Sequence, residues 1–318
     1  MRALVFEGDL KYRTDYPAPA PLNDEALVRV TAAGVCATDL EIIKGYMGFK
    51  GVLGHEFVGV VEECGEMGLT GRRVVGEINI PCGTCRFCKY GLGNHCPGRG
   101  VLGILNKDGA FAEYLTLPFS NLHVLPDSVT DEEAVFVEPL AAAFEVMEQA
   151  ELGPSDNVCV LGDGRLGILV AQALSLTKCR LVAAGRHRDK LSILYNRGIN
   201  ARIGIDGLGR EFDLVVDCTG SPSGLADALK VVRPRGTVVL KTTVADRGAF
   251  DLNQAVIDEI TVVGSRCGPF KPAIRALEER VIEVRPLVSK TFPIEDGVEA
   301  VRYAAQKGVL KVILKIGG

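Results

Sequence analysis

Residues 158–161 form a short apolar run that leads directly into Gly162-Asp163-Gly164-Arg165-Leu166-Gly167. A strand that stops at glycines spaced Gly-x-Gly-x-x-Gly and restarts as a helical stretch, residues 166–176, leaves few folds open. Gly162 permits the tight turn, Gly164 lets the backbone approach a pyrophosphate, and Gly167 lets helix and strand pack closely. The phosphates then rest on the free N–H groups of the helix N-terminus. Apolar runs at 181–184, 214–216, 237–240 and 260–263 follow, with an amphipathic stretch at 224–232 among them. Strands alternating with helices predict βαβ units and a doubly wound parallel sheet, hence an α/β fold.

This pattern starts only near residue 134. From residue 3 to about 126 the apolar runs are short, as at 26–30 and 57–61, and Gly, Pro and Asp interrupt them, which predicts an irregular β-rich lobe. The last fifty or so residues return to mixed texture, with helix-like 273–283 and 297–306 and a strand at 309–316. A chain of 318 residues exceeds what one hydrophobic core supports, so two lobes with a cleft are expected. The balance of 36 basic against 40 acidic side chains removes any electrostatic drive toward nucleic acid or anionic lipid, which leaves small molecules as partners. The first nine residues carry Arg2, Glu7 and Asp9 and lack the apolar core of a signal peptide or membrane span, so a cytoplasmic protein is expected.

Four of the ten cysteines, Cys82, Cys85, Cys88 and Cys96, crowd into one loop beside Gly83, Gly91 and Gly93. Four thiolates complete a tetrahedral zinc and leave no place for substrate, so this metal would tie down the loop and do no chemistry. An iron–sulfur cluster uses similar spacing and stands as the rival reading. A second, open site is suggested by Cys36, His55 and Glu138, with Glu56 as an alternate ligand. Singly these read as a core thiol, a hydrogen-bonded core histidine and a helix cap; together they offer three ligands and one free position, the arrangement of a catalytic zinc. Asp39 fits as the acceptor that orients His55, and Thr38 as a hydroxyl that carries a proton away.

The strand at 181–184 should end in an acidic residue if the cofactor is NAD, yet Gly185-Arg186-His187-Arg188 follows. A glycine that leaves room and cations that pair with a 2′-phosphate predict NADP, against the plainer reading of a solvated basic turn. Arg165, Leu166 and Thr219 join the glycines as expected cofactor contacts.

Taken together, Gly34-Val35-Cys36-Ala37-Thr38-Asp39, Gly54-His55-Glu56, the cysteine loop, Glu138-Pro139-Leu140 and the glycine motif resemble the zinc-dependent medium-chain dehydrogenase/reductase family. The likeness spans essentially the whole chain and is nearest to the sorbitol and threonine dehydrogenase branch. It implies a GroES-like catalytic domain from residues 1–138 and 267–318, with a Rossmann domain at 139–266 between them. It implies two zincs per chain, a catalytic one on Cys36, His55 and Glu138 with Glu56 nearby, and a structural one on the four-cysteine loop. It also implies a dimer or tetramer joined through the cofactor domain. Two departures stand out: Glu41 occupies the place of a possible relay histidine, and Gly185 that of the ribose acid. Lys311 resembles a basic residue that reaches toward the cofactor phosphates, and Tyr46, Met47 and Phe49 are candidates for the pocket wall.

The expected activity is reversible hydride transfer between a small secondary or polyol-like alcohol and NADP, giving the aldehyde or ketone. One rival is a zinc-independent quinone or enoyl reductase on the same fold. Another is a non-enzymatic dinucleotide and thiol sensor, prompted by the spare Cys64, Cys159, Cys179, Cys218 and Cys267.

Overall fold

In the computed structural model, which describes residues 1–242 and 251–317, the chain separates into two units. One comprises Met1–Glu138 with Ala273–Gly318, the other Pro139–Pro272. The second unit holds a six-stranded sheet in the order Asn200–Ile203, Arg180–Gly185, Asn157–Leu161, Phe212–Asp217, Val232–Leu240, Thr261–Gly264. Every pairing in it is parallel. In order of occurrence the strands lie 3-2-1-4-5-6, a doubly wound sheet whose order reverses between Asn157–Leu161 and Phe212–Asp217. Parallel strands covered on both faces carry continuous apolar runs, as Val158, Cys159 and Val160 do with no exposed surface. The helix Arg165–Ser175 buries Gly167 through Leu174 and so supplies much of that cover.

One boundary differs from the linear pattern. The helix expected at 224–232 ends at Val231, and the strand expected from 237 already begins at Val232. Phe212 pairs with Val232, and the register then shifts so that Leu214 meets Thr237. Exposed Pro234 and Arg235, the latter at φ 59°, break the apolar run that would have marked the whole strand.

The first unit is built on a sheet in the order Leu122–Val124, Arg73–Gly76, Glu56–Cys64, Glu25–Val35, Lys311–Lys315, Val288–Pro293, with Tyr114–Pro118 also paired to Glu25–Val35. The eleven-residue strand Glu25–Val35 is its spine. Its register places Gly34 opposite Glu56 on one side and Ile313 on the other, so three strands meet at one point. Gly59 is forced by the same spine: a Cβ there would stand 2.5 Å from the Arg29 carbonyl oxygen.

Lys241 follows the strand Val232–Leu240 and is buried. Its ammonium donates to the carbonyls of Ala142 at 2.6 Å and Arg266 at 2.9 Å, and to the Ser265 hydroxyl at 3.0 Å. Lys241→Met keeps the apolar stem but strips two partly buried carbonyls of their donor, at a cost of roughly 1–3 kcal/mol. We expect a lower urea midpoint with an unchanged slope; an unaltered midpoint would show that the ammonium contributes nothing.

Candidate active site

Cys36 lies at the end of the spine strand and caps the helix Ala37–Ile43, while His55 and Glu56 open the next strand. The Gly34–Glu56 register therefore brings the three together, with ligand atoms within 4.8 Å of one another. His55 is 3% exposed and Glu56 1%. Asp39 accepts the Cys36 backbone N–H at 2.7 Å through Oδ2 and turns Oδ1 toward His55 Nδ1 at 3.3 Å, within ion-pair range but without hydrogen-bond geometry. The Thr38 hydroxyl lies 3.8 Å from the Cys36 sulfur.

Three buried polar atoms in this cluster, Asp39 Oδ1, His55 Nδ1 and Glu56 Oε1, have no hydrogen-bond partner among the described residues. Such groups are expensive to leave unmatched in an apolar interior. Burial acts to lower the His55 pKa, but the negative charges of Asp39 and Cys36 outweigh it and hold the imidazole well above its ordinary value. The pocket is thus built to hold positive charge, and its sulfur, imidazole and carboxylate donors suit zinc.

Two expected site residues are placed as follows. Glu138, on the first turn of the helix Val137–Gln149, is half-buried with an interaction of its own, and the residues whose possible ligand atoms the fold groups are Cys36, His55 and Glu56. The reason is register, since Glu56 adjoins His55 and faces Gly34 across the sheet. Lys311, expected to reach toward cofactor phosphates, has no exposed surface; its ammonium pairs with Glu56 Oε2 and lies 5.5 Å from the Phe136 ring centre. Glu41 pairs with Lys44 at 2.8 Å on the helix surface. Phe49 is buried, whereas Tyr46 and Met47 are exposed.

The cysteine loop closes on itself. Sulfur separations are 3.5 Å for Cys85 and Cys88, 3.7 Å for Cys85 and Cys96, and 4.0 Å for Cys82 and Cys88. The edge of a zinc tetrathiolate tetrahedron is roughly 3.8 Å for Zn–S bonds of about 2.3 Å, so the four sulfurs fit that ion. The backbone N–H groups of Thr84 and Cys85 pull the Cys82 thiol down to about 6, toward the ligand form.

The glycine turn lies at the carboxyl end of Asn157–Leu161, at the reversal of strand order. Gly162 has φ 114°, and a Cβ there would meet the Cys218 carbonyl oxygen at 2.5 Å. Gly164 caps the helix Arg165–Ser175 with open space before it, the room a pyrophosphate needs, and Gly167 packs against the Gly162 carbonyl. Arg165 and Leu166 are half-buried on the first turn, and Thr219 is held to Asp217 through its N–H and hydroxyl. Arg186, His187 and Arg188 are exposed. The room beside Gly185 is not open, however. A Cβ on Gly185 would stand 2.5 Å from Asp163 Cβ, and Asp163 Oδ2 accepts the N–H groups of Arg186 and His187, each at 2.6 Å. Asp163 carries no signal in the linear pattern, because it occupies a variable position of the glycine motif. Only the pairing of Leu161 with Ala184 sets it beside Gly185.

Residues 22–127 match the alcohol dehydrogenase GroES-like domain family, and residues 166–283 the zinc-binding dehydrogenase family. D-xylulose reductase A of Aspergillus oryzae is 30% identical over 98% of this chain and 96% of its own. The chain belongs to the zinc-dependent alcohol dehydrogenases. Two solved structures of this kind carry cofactor. A zinc-binding dehydrogenase from Sinorhizobium meliloti 1021 bound to NADP has a TM-score of 0.88, 25% identity and coverage of 99% and 98% of the two chains. An alcohol dehydrogenase from Escherichia coli CFT073 complexed with NADH has a TM-score of 0.89, 27% identity and 99% coverage of both. This chain is therefore an oxidoreductase of CH–OH groups that works with a nicotinamide dinucleotide. Of the spare cysteines, Cys159 and Cys218 have their thiols pushed up to about 12 by burial, away from the reactive thiolate form. No helix among the described residues is long and apolar enough to cross a membrane.

Gly34 is closely walled: a Cβ would stand 2.6 Å from Glu56 Oε2 and 3.3 Å from Lys311 Cδ. Gly34→Ala should cost roughly 1–3 kcal/mol by overpacking, read as a lower melting temperature. A variant that melts with the parent would mean that the carboxylate is free to move.

Proposed function

We propose that this dehydrogenase interconverts a small secondary or polyol-like alcohol and its carbonyl partner, reversibly, with NADP preferred over NAD. The observation that carries the reading is the buried cluster of Cys36, His55 and Glu56 with its unmatched acceptor atoms. These three residues would hold a catalytic zinc, with Glu138 the alternative carboxylate, and Cys82, Cys85, Cys88 and Cys96 would hold a structural one. The proposed count is two per chain. Bound zinc supplies Lewis acidity that lowers an alcohol pKa toward neutrality, and the nicotinamide supplies the hydride acceptor.

The residues of the chain do the rest. Asp39, placed at His55 Nδ1, fixes the tautomer and leaves Nε2 as the donor to metal. Thr38, beside the Cys36 sulfur, would relay the departing alcohol proton, accepting it at Oγ1 as it passes its own hydroxyl proton on toward the cofactor ribose. Lys311 neutralises one oxygen of Glu56 and orients the other inward, where it has no protein partner. On the cofactor side, Gly162, Gly164 and Gly167 shape the pyrophosphate turn, and Arg186, His187 and Arg188 are the exposed groups available to a 2′-phosphate.

A homodimer or homotetramer is proposed as well. The edge strand Thr261–Gly264 offers an open backbone, with Val262 41% exposed and Val256 and Ile257 each 76% exposed in the helix just before it. A cytoplasmic setting fits ten cysteines of which none is in a disulfide among the described residues.

Cys36→Ser should abolish alcohol oxidation while NADPH still binds, checked by turnover assay beside fluorescence titration; a zinc-free mutant with full turnover would sink the metal assignment. Cys88→Ala should reduce zinc from two to one per chain by elemental analysis. It should also lower the melting temperature by several degrees, at about 2–4 °C per kcal/mol lost. Retention of both zincs and the parent melting temperature would reject the structural site.

A further inference from the structure

The basic turn that follows Arg180–Gly185 is not a plain phosphate reader, because a carboxylate is built into it. Asp163 is 7% exposed. Its Oδ2 takes both consecutive backbone N–H groups of the turn, those of Arg186 and His187, at 2.6 Å each. The His187 ring nitrogen Nδ1 stands 3.1 Å from Oδ2 and 3.2 Å from Oδ1. Among the described residues Oδ1 has no other contact of this kind, so it keeps acceptor capacity. Burial acts to raise the Asp163 pKa, but the N–H groups of His187 and Arg186 outweigh it and hold the carboxyl below its ordinary value. The group is an anion at neutral pH.

Its location is what matters. In a dinucleotide fold that takes NAD, the ribose hydroxyls are gripped by an acidic side chain at the end of the second strand. In this chain that position is Gly185, and a Cβ there would lie 2.6 Å from Asp163 Oδ2. Thus residue 185 is glycine because Asp163 fills its side-chain space, and the carboxylate comes from the first strand's turn instead. The two N–H groups that an incoming phosphate would seek are already taken by Asp163, so only side chains such as Arg186 and Arg188 remain to attract it.

We propose that Asp163 is the residue that admits NAD to a turn otherwise charged for NADP. It accepts from a ribose hydroxyl through Oδ1 and repels a 2′-phosphate, so the selectivity conferred by the arginines is held down and both cofactors bind. This rests on the reading above that the turn after Arg180–Gly185 receives the adenosine ribose.

The test is the dissociation constants of NADH and NADPH by calorimetry on purified parent, Asp163→Asn and Arg186→Ala, each with its melting temperature. Asp163→Asn keeps the size of the side chain and one acceptor for the two N–H groups, but removes the charge and turns a donor outward. NADPH should tighten and NADH weaken, moving their ratio by roughly tenfold. A role in holding the turn alone would instead weaken both cofactors in parallel, and that result overturns the proposal. Arg186→Ala separates the two layers of inference. It should weaken NADPH and leave NADH unchanged; if it does so while Asp163→Asn leaves the ratio untouched, Asp163 is not the discriminator. If neither substitution affects either cofactor, the turn is not the ribose site and the underlying reading fails as well. Should Asp163→Asn melt well below the parent, Asp163→Ser, which retains an acceptor for one N–H, carries the same comparison.

Discussion

Glu56 and Lys311 form an ion pair with essentially no contact with water, and much of the first unit is arranged around it. Removing two charges from solvent costs several kcal/mol for each ion unless the remaining donors and acceptors are matched closely. Gly34 leaves space for the carboxylate, the Phe136 ring lies near the ammonium, and the paired strands Glu25–Val35, Glu56–Cys64 and Lys311–Lys315 hold both groups in register. The second carboxylate oxygen is left without a protein partner beside His55 and Cys36. The arrangement is poor as a pure stability device and reasonable as the wall of a cation site. Removing either partner leaves a stranded charge, whereas a divalent ion would match the unpartnered oxygen of Glu56.

The second unit solves a related problem with less charge. Parallel strands buried on both faces deliver their loops to one edge of the sheet, and where the strand order reverses, a phosphate can sit on a helix N-terminus. Asp163 shows that such a loop is not independent of its neighbour. One side chain in the first turn determines which backbone groups of the second turn remain available, and which residue type can stand at position 185. The two turns are thus one unit, held together by the Leu161–Ala184 pairing.

Much of this was legible without coordinates. The α/β alternation, the β-rich N-terminal lobe, the glycine turn and the cysteine quartet are local patterns, each set by spacing along the chain. Cys36, His55 and Asp39 each read singly as ordinary core groups, and only their combination pointed to a site; the structure brings them together. Glu138 stands in an apolar stretch yet is only half-buried, and spacing alone does not say which carboxylate lies beside His55. Lys311 misled because a basic residue within a terminal apolar strand gives no sign of which face it takes, and a strand's two faces differ by a single residue of register.

The amino-acid sequence by itself determined which chemical groups are present and how they cluster locally: four thiols in one loop, three glycines after one strand, and a cysteine and a histidine positioned for a metal. Those are matters of spacing over a few residues, where chain geometry leaves little freedom. Only the tertiary structure decided that Glu56 groups with Cys36 and His55, that Lys311 lies against it, and that Asp163 fills the side of Gly185. Each depends on registers between strands distant in sequence, 255 residues apart for Lys311 and Glu56. A local pattern holds no information about which residue a distant strand will place opposite it, since that is settled by the packing of the sheet as a whole.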